Sequence, residues 1–265
     1  MTTQPQTWHY GLVAQWWAEF NTAGPEIAYF QKCIERYGQP ALDVACGTGR
    51  LLLPYLRAGL DVDGCDISPD MIALCREKAE QEGLSARLYA QAAHELDLPR
   101  NYKTIFMCGA FGLGGNRQQD IEALRRCYHY LDREGVFLLD DHVSYHNAKI
   151  WQYWLPEQQR QLPEPWPEHG QRKRAADGSE YELRMRVAAL DPLEQLMTLQ
   201  IRVALWRDGH VAAEEENTLQ VRSYFKNELL MLLMQAGFRN VEVFGNYTQE
   251  MATAAHGVLV FRARK

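Results

Sequence analysis

The stretch from Asp43 to Gly49 combines an acidic residue with two glycines and is the part of the chain whose residue types could hold a polar ligand. Asp43 lies within the apolar run Ala41–Ala45, and Leu51-Leu52-Leu53 follows the glycines. Gly47 and Gly49 allow backbone angles and a close approach that a Cβ would forbid. The next segment begins as a helix whose first N–H groups point into the turn. The pattern predicts a buried strand, a glycine turn and a helix.

A second acidic residue, Asp66, ends the next short apolar stretch, Leu60–Asp66, and lies 23 residues after Asp43. This spacing is about where the second strand of a βαβ unit ends. A carboxylate at this position can accept hydrogen bonds from both hydroxyls of a ribose. Ser68 then suits the N-cap of a helix, with Pro69 in the first helical position.

Together, the segments DVACGTG (43–49) and GCDISPDM (64–71) resemble the S-adenosylmethionine (SAM) site of class I methyltransferases. The resemblance extends over roughly residues 8–145 and resumes at about 222–265. An enzyme that binds a dinucleotide usually has a third glycine in the turn, but Leu52 stands at that position. The resemblance implies SAM as cofactor and S-adenosylhomocysteine as product, with no metal.

The resemblance implies that Asp43 and the backbone of Ala45 and Gly47 hold the amino-acid end of SAM, and that Asp66 holds the ribose. In the family, an Asp after the third strand often accepts a hydrogen bond from the adenine amino group, but Ala92 stands there. We therefore expect the backbone of Ala92 or Ala93, or the side chain of Gln91 or His94, to contact adenine. The expected cofactor-binding residues are Tyr10, Trp17, Asp43, Ala45, Gly47, Gly49, Asp66, Ile67, Met71, Ala92, Ala93 and Cys108.

The segment 8–37 is predicted to be helical, with a break at Gly24-Pro25, and its first half is unusually aromatic. One interpretation is an amphipathic helix that packs Leu12, Val13, Trp16 and Phe20 on the core. The other, which the resemblance implies, is a lid over the methionine end of SAM. Tyr10 and Trp17 are the candidate lid residues, and the sequence does not separate Trp17 from Trp16.

Two further segments should lie at the carboxyl ends of strands, where open α/β sheets bind ligands. The glycine-rich loop 109–115 follows a predicted strand at 102–108, and its Phe111 either faces the substrate or packs in the core. Asp140, Asp141 and His142 end a strand at 135–140. Asp141 and His142 are the candidate catalytic residues, as a proton acceptor or a substrate anchor, whereas Asp140 could simply cap the following turn. No further cluster of ligands has a spacing suited to a metal.

The region 146–222 interrupts this pattern and is predicted to be an insertion. Residues 146–169 are rich in tryptophan and proline and should cover the mouth of the site; Tyr145, His146 and Trp154 are candidate substrate contacts, although the aromatic residues could equally pack the insertion onto the domain. Turn signals at Asp177-Gly178, Asp191-Pro192 and Asp208-Gly209 separate alternating runs, which predicts four antiparallel strands.

The predicted fold is α/β: a Rossmann-like, seven-stranded, mostly parallel sheet with helices on both faces and an antiparallel edge pair at 241–244 and 258–261. The predicted organisation is a lid (1–37), a SAM-binding domain (38–145 and 223–265) and the insertion (146–222). An antiparallel insertion at this place resembles small-molecule N-methyltransferases, including those acting on amino sugars, and could supply a homodimer contact.

Composition limits the other classes of function. The net charge of −6 argues against a nucleic-acid partner, no apolar run reaches the length of a membrane span, and six scattered cysteines suit reduced thiols in the cytoplasm. The asparagine-or-aspartate-Pro-Pro-aromatic sequence common in methyltransferases of nucleic-acid bases or protein amides is absent. We therefore expect methyl transfer to a small molecule, first to an amine and otherwise to a hydroxyl. The alternatives are a SAM-binding protein without catalysis and a nicotinamide-dependent oxidoreductase.

Overall fold

The computed structural model describes residues 7–265 and has a seven-stranded sheet at its centre. Residues 1–6 of the predicted lid lie outside the described residues. The strands of this sheet are β1 (Ala41–Val44), β2 (Val62–Asp66), β3 (Arg87–Ala90), β4 (Tyr102–Met107), β5 (Leu131–His142), β10 (Arg239–Gly245) and β11 (Val258–Arg264). Their order across the sheet is β10-β11-β5-β4-β1-β2-β3.

The five neighbouring strands β3, β2, β1, β4 and β5 run parallel to one another. Strand β11 is antiparallel to both of its neighbours, β5 and β10. This arrangement confirms the predicted mostly parallel sheet with an antiparallel edge. Strand β1 pairs with β2 on one side and with β4 on the other, so the chain reverses its direction of progress beside β1. A crevice forms above the carboxyl ends of the strands at such a reversal.

Helices flank the central sheet, and short helices also occur in the insertion. The α-helices of the described residues are α1 (Gly11–Phe20), α2 (Pro25–Tyr37), α3 (Leu52–Arg57), α4 (Pro69–Gln81), α5 (Arg117–Tyr130), α6 (Ala148–Trp151), α7 (Pro156–Gln159) and α8 (Lys226–Ala236). The predicted start of α4 is confirmed, because Ser68 Oγ accepts the backbone N–H of Met71 at 3.2 Å and Pro69 is the first helical residue. No helix of residues 7–265 combines the length and the apolar character that crossing a membrane requires.

A second sheet is built from the insertion. Its strands are β6 (Gln171–Arg174), β7 (Glu180–Asp191), β8 (Leu196–Arg207) and β9 (His210–Arg222), all antiparallel and in chain order. The glycine-rich loop after β4 lies against β9, because the N–H of Gly114 donates to the carbonyl of Gln220 at 2.7 Å. The insertion therefore contacts the loop that borders the crevice.

Helix α1 packs on the inserted sheet. Its buried residues Leu12, Val13 and Trp16 form one apolar cluster with β8 side chains such as Ile201 and Val203. The sequence analysis expected these residues to pack on an apolar core. The structure shows that this core is the apolar cluster of the inserted sheet, so α1 and the inserted sheet pack together as one layer.

Candidate active site

A cavity lies above the carboxyl ends of β1, β2, β3 and β4, beneath α1. Its lining includes ten of the twelve predicted cofactor residues: Trp17, Asp43, Ala45, Gly47, Asp66, Ile67, Met71, Ala92, Ala93 and Cys108. Tyr10 and Gly49 are not part of the lining. The lining also includes residues that the sequence analysis did not assign to the cofactor, among them His9, Asn21, Thr48, Arg50, Gln119 and Asp120.

The turn after β1 takes the left-handed backbone conformation three times. Ala45, Gly47 and Gly49 have φ values of 62°, 55° and 86°. A Cβ on Gly47 would meet no protein atom within 4 Å, so this residue leaves open space beside the turn. A Cβ on Gly49 would lie 2.7 Å from Cys75 Sγ and 2.8 Å from Leu53, so Gly49 permits close packing of the turn on α3 and α4 rather than lining the cavity.

Asp43 presents a buried carboxylate to the cavity. Its side chain is 2% exposed, and Oδ2 has no hydrogen-bond partner among the described residues. Burial raises the pKa of the Asp43 carboxyl well above its usual range, and the nearby Cys75 and Asp66 act in the same direction. A buried polar atom without a partner is costly, so this oxygen would gain from a ligand that donates hydrogen bonds and carries positive charge.

Asp66 holds the turn and the start of α4 together. Oδ2 accepts the N–H of Gly47 at 2.9 Å, and Oδ1 accepts the N–H of Ser68 at 2.8 Å. Burial raises the pKa of the Asp66 carboxyl, against these two hydrogen bonds, which favour its ionised form. Both oxygens retain lone pairs, since a carboxylate can accept about four hydrogen bonds.

Helix α1 and the residues before it form the roof of the cavity. Trp17 lines the cavity, whereas Trp16 is buried against the inserted sheet, which separates the two candidates. His9 also lines the cavity, its ring lies edge-on to Trp17 at 5.8 Å, and burial lowers its pKa to about 4. Tyr10 is the N-cap of α1 and does not line the cavity; burial, together with the carboxylates of Asp66 and Asp70, raises the pKa of its hydroxyl.

Arg50 is a cationic residue at the cavity that the sequence analysis did not assign. It follows Gly49 directly, is 18% exposed in its side chain, and pairs with the largely buried Glu26 at the start of α2. The signal in the sequence was a basic residue immediately after the glycine turn. The guanidinium is placed where it could bind a ligand carboxylate.

The far end of the cavity is formed by the loop after β3 and the start of α5. Gln91 and His94 line it, but both side chains are engaged within the protein. The Gln91 amide exchanges hydrogen bonds with the backbone of Asp97 at 3.1 and 2.9 Å, and His94 Nε2 lies 3.2 Å from Gln119 Nε2. Their availability to a ligand is therefore reduced.

The carboxyl end of β5 lies outside the cavity lining. Asp140 is buried and accepts the N–H of Gly109 at 2.5 Å and the hydroxyl of Tyr247 at 2.5 Å, so it fixes the loop after β4. Asp141 and His142, the predicted catalytic pair, do not line the cavity, and His142 is exposed. Burial, with the neighbouring carboxylates Asp140 and Glu228, raises the pKa of Asp141 to about 7.

The four predicted substrate contacts are placed differently from one another. Phe111 lines the cavity and packs on Tyr224 with ring centroids 5.1 Å apart. Tyr145 is 46% exposed, and His146 Nε2 lies 3.0 Å from the carbonyl of Ala254. Trp154 stacks on Trp151 of the insertion at 5.5 Å and lies edge-on to Phe225, the residue before α8, at 5.9 Å. Of the four, only Phe111 lines the cavity.

Comparison with known proteins relates this chain to methyltransferases. A family model described as "Methyltransferase domain" matches residues 41–135, the segment that carries both aspartates and the glycine turn. A Geobacillus sp. (strain WCH70) protein with the name "Putative methyltransferase GWCH70_2453" is 29% identical over 152 residues, which cover 54% of this chain. The match spans 61% of the length of that relative.

Two solved structures share the fold over nearly the whole chain. A SAM-dependent methyltransferase from Clostridium acetobutylicum has a TM-score of 0.71 at 15% identity, covering 95% of this chain and 96% of its own. The sugar N-methyltransferase KedS8 from Streptoalloteichus sp. has a TM-score of 0.70 at 16% identity, with 100% of both chains covered. The family match confirms the resemblance recognised in the sequence: residues 41–135 match a methyltransferase domain, and nearly the whole chain shares the fold of these two solved methyltransferases.

Proposed function

We propose that the protein is a SAM-dependent methyltransferase that methylates an amine of a small molecule. The observation that carries the proposal is the unpartnered, buried oxygen of Asp43 in a cavity that the glycine turn borders. The ammonium group of an amino-acid moiety would supply both the positive charge and the N–H donors that this oxygen lacks. Neither a nicotinamide nor a flavin dinucleotide offers such a group.

The other lining residues suit the remaining parts of SAM. Arg50 would bind the carboxylate of the amino-acid moiety, and the spare lone pairs of Asp66 would accept the ribose hydroxyls. Trp17 would supply an apolar wall. Each role matches the chemistry of a residue already directed at the cavity, so binding would need little rearrangement of the described side chains.

When bound, SAM supplies a methyl group on a sulfonium, which is already activated for displacement. The protein then has to align an acceptor in line with that bond, which is worth up to about 7–11 kcal/mol for a well-oriented pair. Phe111 and Trp17 would form the aromatic surroundings of the reacting groups. Such surroundings favour a step in which a positive charge leaves the sulfur.

An amine that arrives protonated must lose a proton before its nitrogen can attack, and a neutral primary or secondary amine carries an extra proton once the N–C bond has formed and the C–S bond has broken. Asp141 is our candidate acceptor for that proton, because its raised pKa of about 7 lets it bind a proton near neutral pH. Asp141 lies outside the lining of the cavity, one residue after Asp140, which accepts hydrogen bonds from the lining residues Cys108 and Gly109, so the acceptor amine would have to approach from the β5 side. His142 is the second candidate at the same strand end.

The case for a small acceptor rests on how the cavity is covered. Helix α1 and the inserted sheet form one layer over the site, and the loop 109–115 is fixed to β9, so an acceptor has to fit beneath this cover. The sugar N-methyltransferase KedS8 shares this fold from end to end, which favours an amine as the group methylated.

The test begins with calorimetry on the purified protein, using SAM, S-adenosylhomocysteine and NAD. We expect micromolar binding of the first two ligands and none of NAD. A panel of amino sugars and other small amines is then incubated with SAM, and S-adenosylhomocysteine formation is measured. Binding without turnover on any acceptor would favour a SAM-binding protein without catalysis, and binding of NAD alone would overturn the proposal.

A further inference from the structure

The cavity has two chemically different ends. The strand order β1-β2-β3 places Asp43, Asp66 and Gln91 at successive strand ends, and neighbouring strands lie about 4.8 Å apart. Arg50 and Asn21 add polar groups at the Asp43 end. If SAM occupies the cavity as proposed above, its amino-acid moiety lies at this polar end, its ribose at Asp66 and its adenine at the opposite end.

The start of α5 borders that opposite end, because Gln119 Nε2 lies 3.2 Å from His94 Nε2 in the loop after β3, and the next residue of α5 carries a carboxylate. Asp120 in the first turns of α5 lines the cavity and is 7% exposed. The hydroxyl of Tyr224 donates to its Oδ2 at 2.7 Å, and Arg222 Nε lies 3.9 Å from the same oxygen. Both contacts fix the carboxylate through one oxygen only.

The other oxygen of Asp120, Oδ1, has no hydrogen-bond partner in the part of the chain from Thr7 onwards. A Cβ built on Gly115 would lie 3.4 Å from this oxygen, and Gly115 itself lines the cavity. Oδ1 is therefore on the side of Asp120 that borders the cavity, held in place by the contacts to Oδ2.

The remaining side chains at this end are poor acceptors for a ligand. Ala92 and Ala93 carry only methyl groups, and the Gln91 amide is occupied by the backbone of Asp97. His94 is occupied by Gln119, whose own amide oxygen completes the capping box of α5. These contacts reduce the availability of the Gln91 and His94 side chains to adenine, and they leave Asp120 Oδ1 as an unpaired side-chain acceptor among the described residues at this end, beside the backbone of Ala92 and Ala93.

We propose that Asp120 Oδ1 accepts a hydrogen bond from the 6-amino group of adenine and makes the site selective for that group. The inference rests on the proposed function, since it assigns one more residue to the same cofactor. Tyr224 is the positioning residue, because its hydroxyl holds Oδ2 and so directs Oδ1 toward the base.

The test compares two ligands by calorimetry: S-adenosylhomocysteine and its nebularine analogue, in which hydrogen replaces the 6-amino group. Wild-type protein should bind S-adenosylhomocysteine at least tenfold more tightly than the analogue. Asp120→Ala should weaken binding of S-adenosylhomocysteine about tenfold and change binding of the analogue less than twofold. Glu122→Ala, on the same helix and outside the cavity lining, is the matched control and should leave both affinities unchanged.

Asp120→Asn is a second variant, which keeps the shape of the side chain in case the alanine variant does not fold. Its thermal unfolding is compared with that of the wild type. Its amide should still reduce the preference for the 6-amino ligand severalfold, since it is a weaker acceptor than a carboxylate. An unchanged preference in the folded variants would overturn the role of Asp120 alone. Failure of the wild-type protein to bind S-adenosylhomocysteine would overturn the proposed function, and this inference with it.

Discussion

Asp66 serves the protein and its proposed ligand through the same carboxylate. Its two oxygens hold the N–H groups of Gly47 and Ser68, and thereby tie the glycine turn to the start of α4. The carboxylate at the end of β2 is thus part of the local structure even without a ligand. A substitution here should therefore be visible in stability as well as in binding.

We predict that Asp66→Ala weakens SAM binding tenfold or more, because charged hydrogen bonds worth ~1.5–3 kcal/mol are lost. The same change should lower the free energy of unfolding by ~1–3 kcal/mol, since the N–H groups of Gly47 and Ser68 lose their acceptor. Calorimetry and urea unfolding measure the two effects. Glu95→Ala, at an exposed position in the loop after β3, is the control and should match wild type in both. Wild-type affinity in Asp66→Ala would contradict the assignment.

Asp141 gives the stability of the protein a pH dependence. Its pKa is about 7 in the folded protein against 3.8 for a free carboxyl. Between these values the folded state holds a proton that the unfolded state has released, so stability falls as pH rises through this window. We compare the free energy of unfolding of Asp141→Asn with that of the wild type. We predict that the variant gains about 1–3 kcal/mol relative to the wild type when the pH is raised from 5 to 8.

Urea unfolding at both pH values measures this difference. Glu134→Gln, at an exposed position early in the same strand, should reproduce the wild-type dependence on pH. Equal stability differences at pH 5 and pH 8 in Asp141→Asn would show that burial does not raise the pKa of this carboxyl.

Sequence reasoning found the residues whose roles follow from local spacing. Asp43, Gly47 and Asp66 were predicted because each lies in or directly after a short apolar stretch, and the carboxyl end of a strand fixes where such a residue lies. Arg50 and Asp120 were not assigned, because their importance depends on partners far along the chain, Glu26 for one and Tyr224 for the other. A single sequence carries no signal for such pairings.

At the scale of elements, helix α1 is held by carboxylates from two other parts of the chain. Its own N-cap, Tyr10, provides no side-chain cap. Instead the N–H of Gly11 donates to Asp70 of α4 at 2.8 Å, and the N–H of Leu12 donates to Glu215 of β9 at 2.8 Å. The roof of the cavity is thereby joined both to α4, which flanks the central sheet, and to the insertion.

We predict that Glu215→Ala loosens α1, because one of its first N–H groups loses an acceptor that is worth ~1 kcal/mol in a helix cap. Hydrogen exchange should show about fivefold faster exchange of the α1 amides. Glu214→Ala, the adjacent residue, is the matched control, since its side chain is exposed and lies near Arg202 rather than α1. Unchanged protection of α1 in Glu215→Ala would contradict this role for the insertion.

The elements themselves were largely predictable, whereas their mutual contacts were not. The edge pair predicted at 241–244 and 258–261 is found as β10 and β11, which are antiparallel to each other. The packing of α1 on the inserted sheet could not be read from the sequence, since an amphipathic pattern shows that one face is buried and not what covers it.

At the scale of the whole molecule, the protein has two kinds of core. The central sheet is packed by helices on both faces, and fully buried residues such as Ile105 belong to that core. The layer of α1 and the inserted sheet has its own apolar cluster around Ile201. The proposed cofactor site lies between them, with its floor on one core and its roof on the other.

This division predicts different consequences for one substitution made in the two cores. Ile201→Ala should destabilise the protein by ~2–5 kcal/mol through loss of packing and the cavity left behind. Because α1 and the inserted sheet share that cluster, hydrogen exchange should accelerate in both together, while the central strands keep their protection.

Ile105→Ala, the matched control, is buried to the same degree, since Ile105 and Ile201 are both 0% exposed. It should lower protection in the central sheet, and Tm should fall in both variants. Loss of protection in the inserted sheet of Ile201→Ala without loss in α1 would mean that the roof is held by the central domain alone, and the cover of the site would then be independent of the insertion.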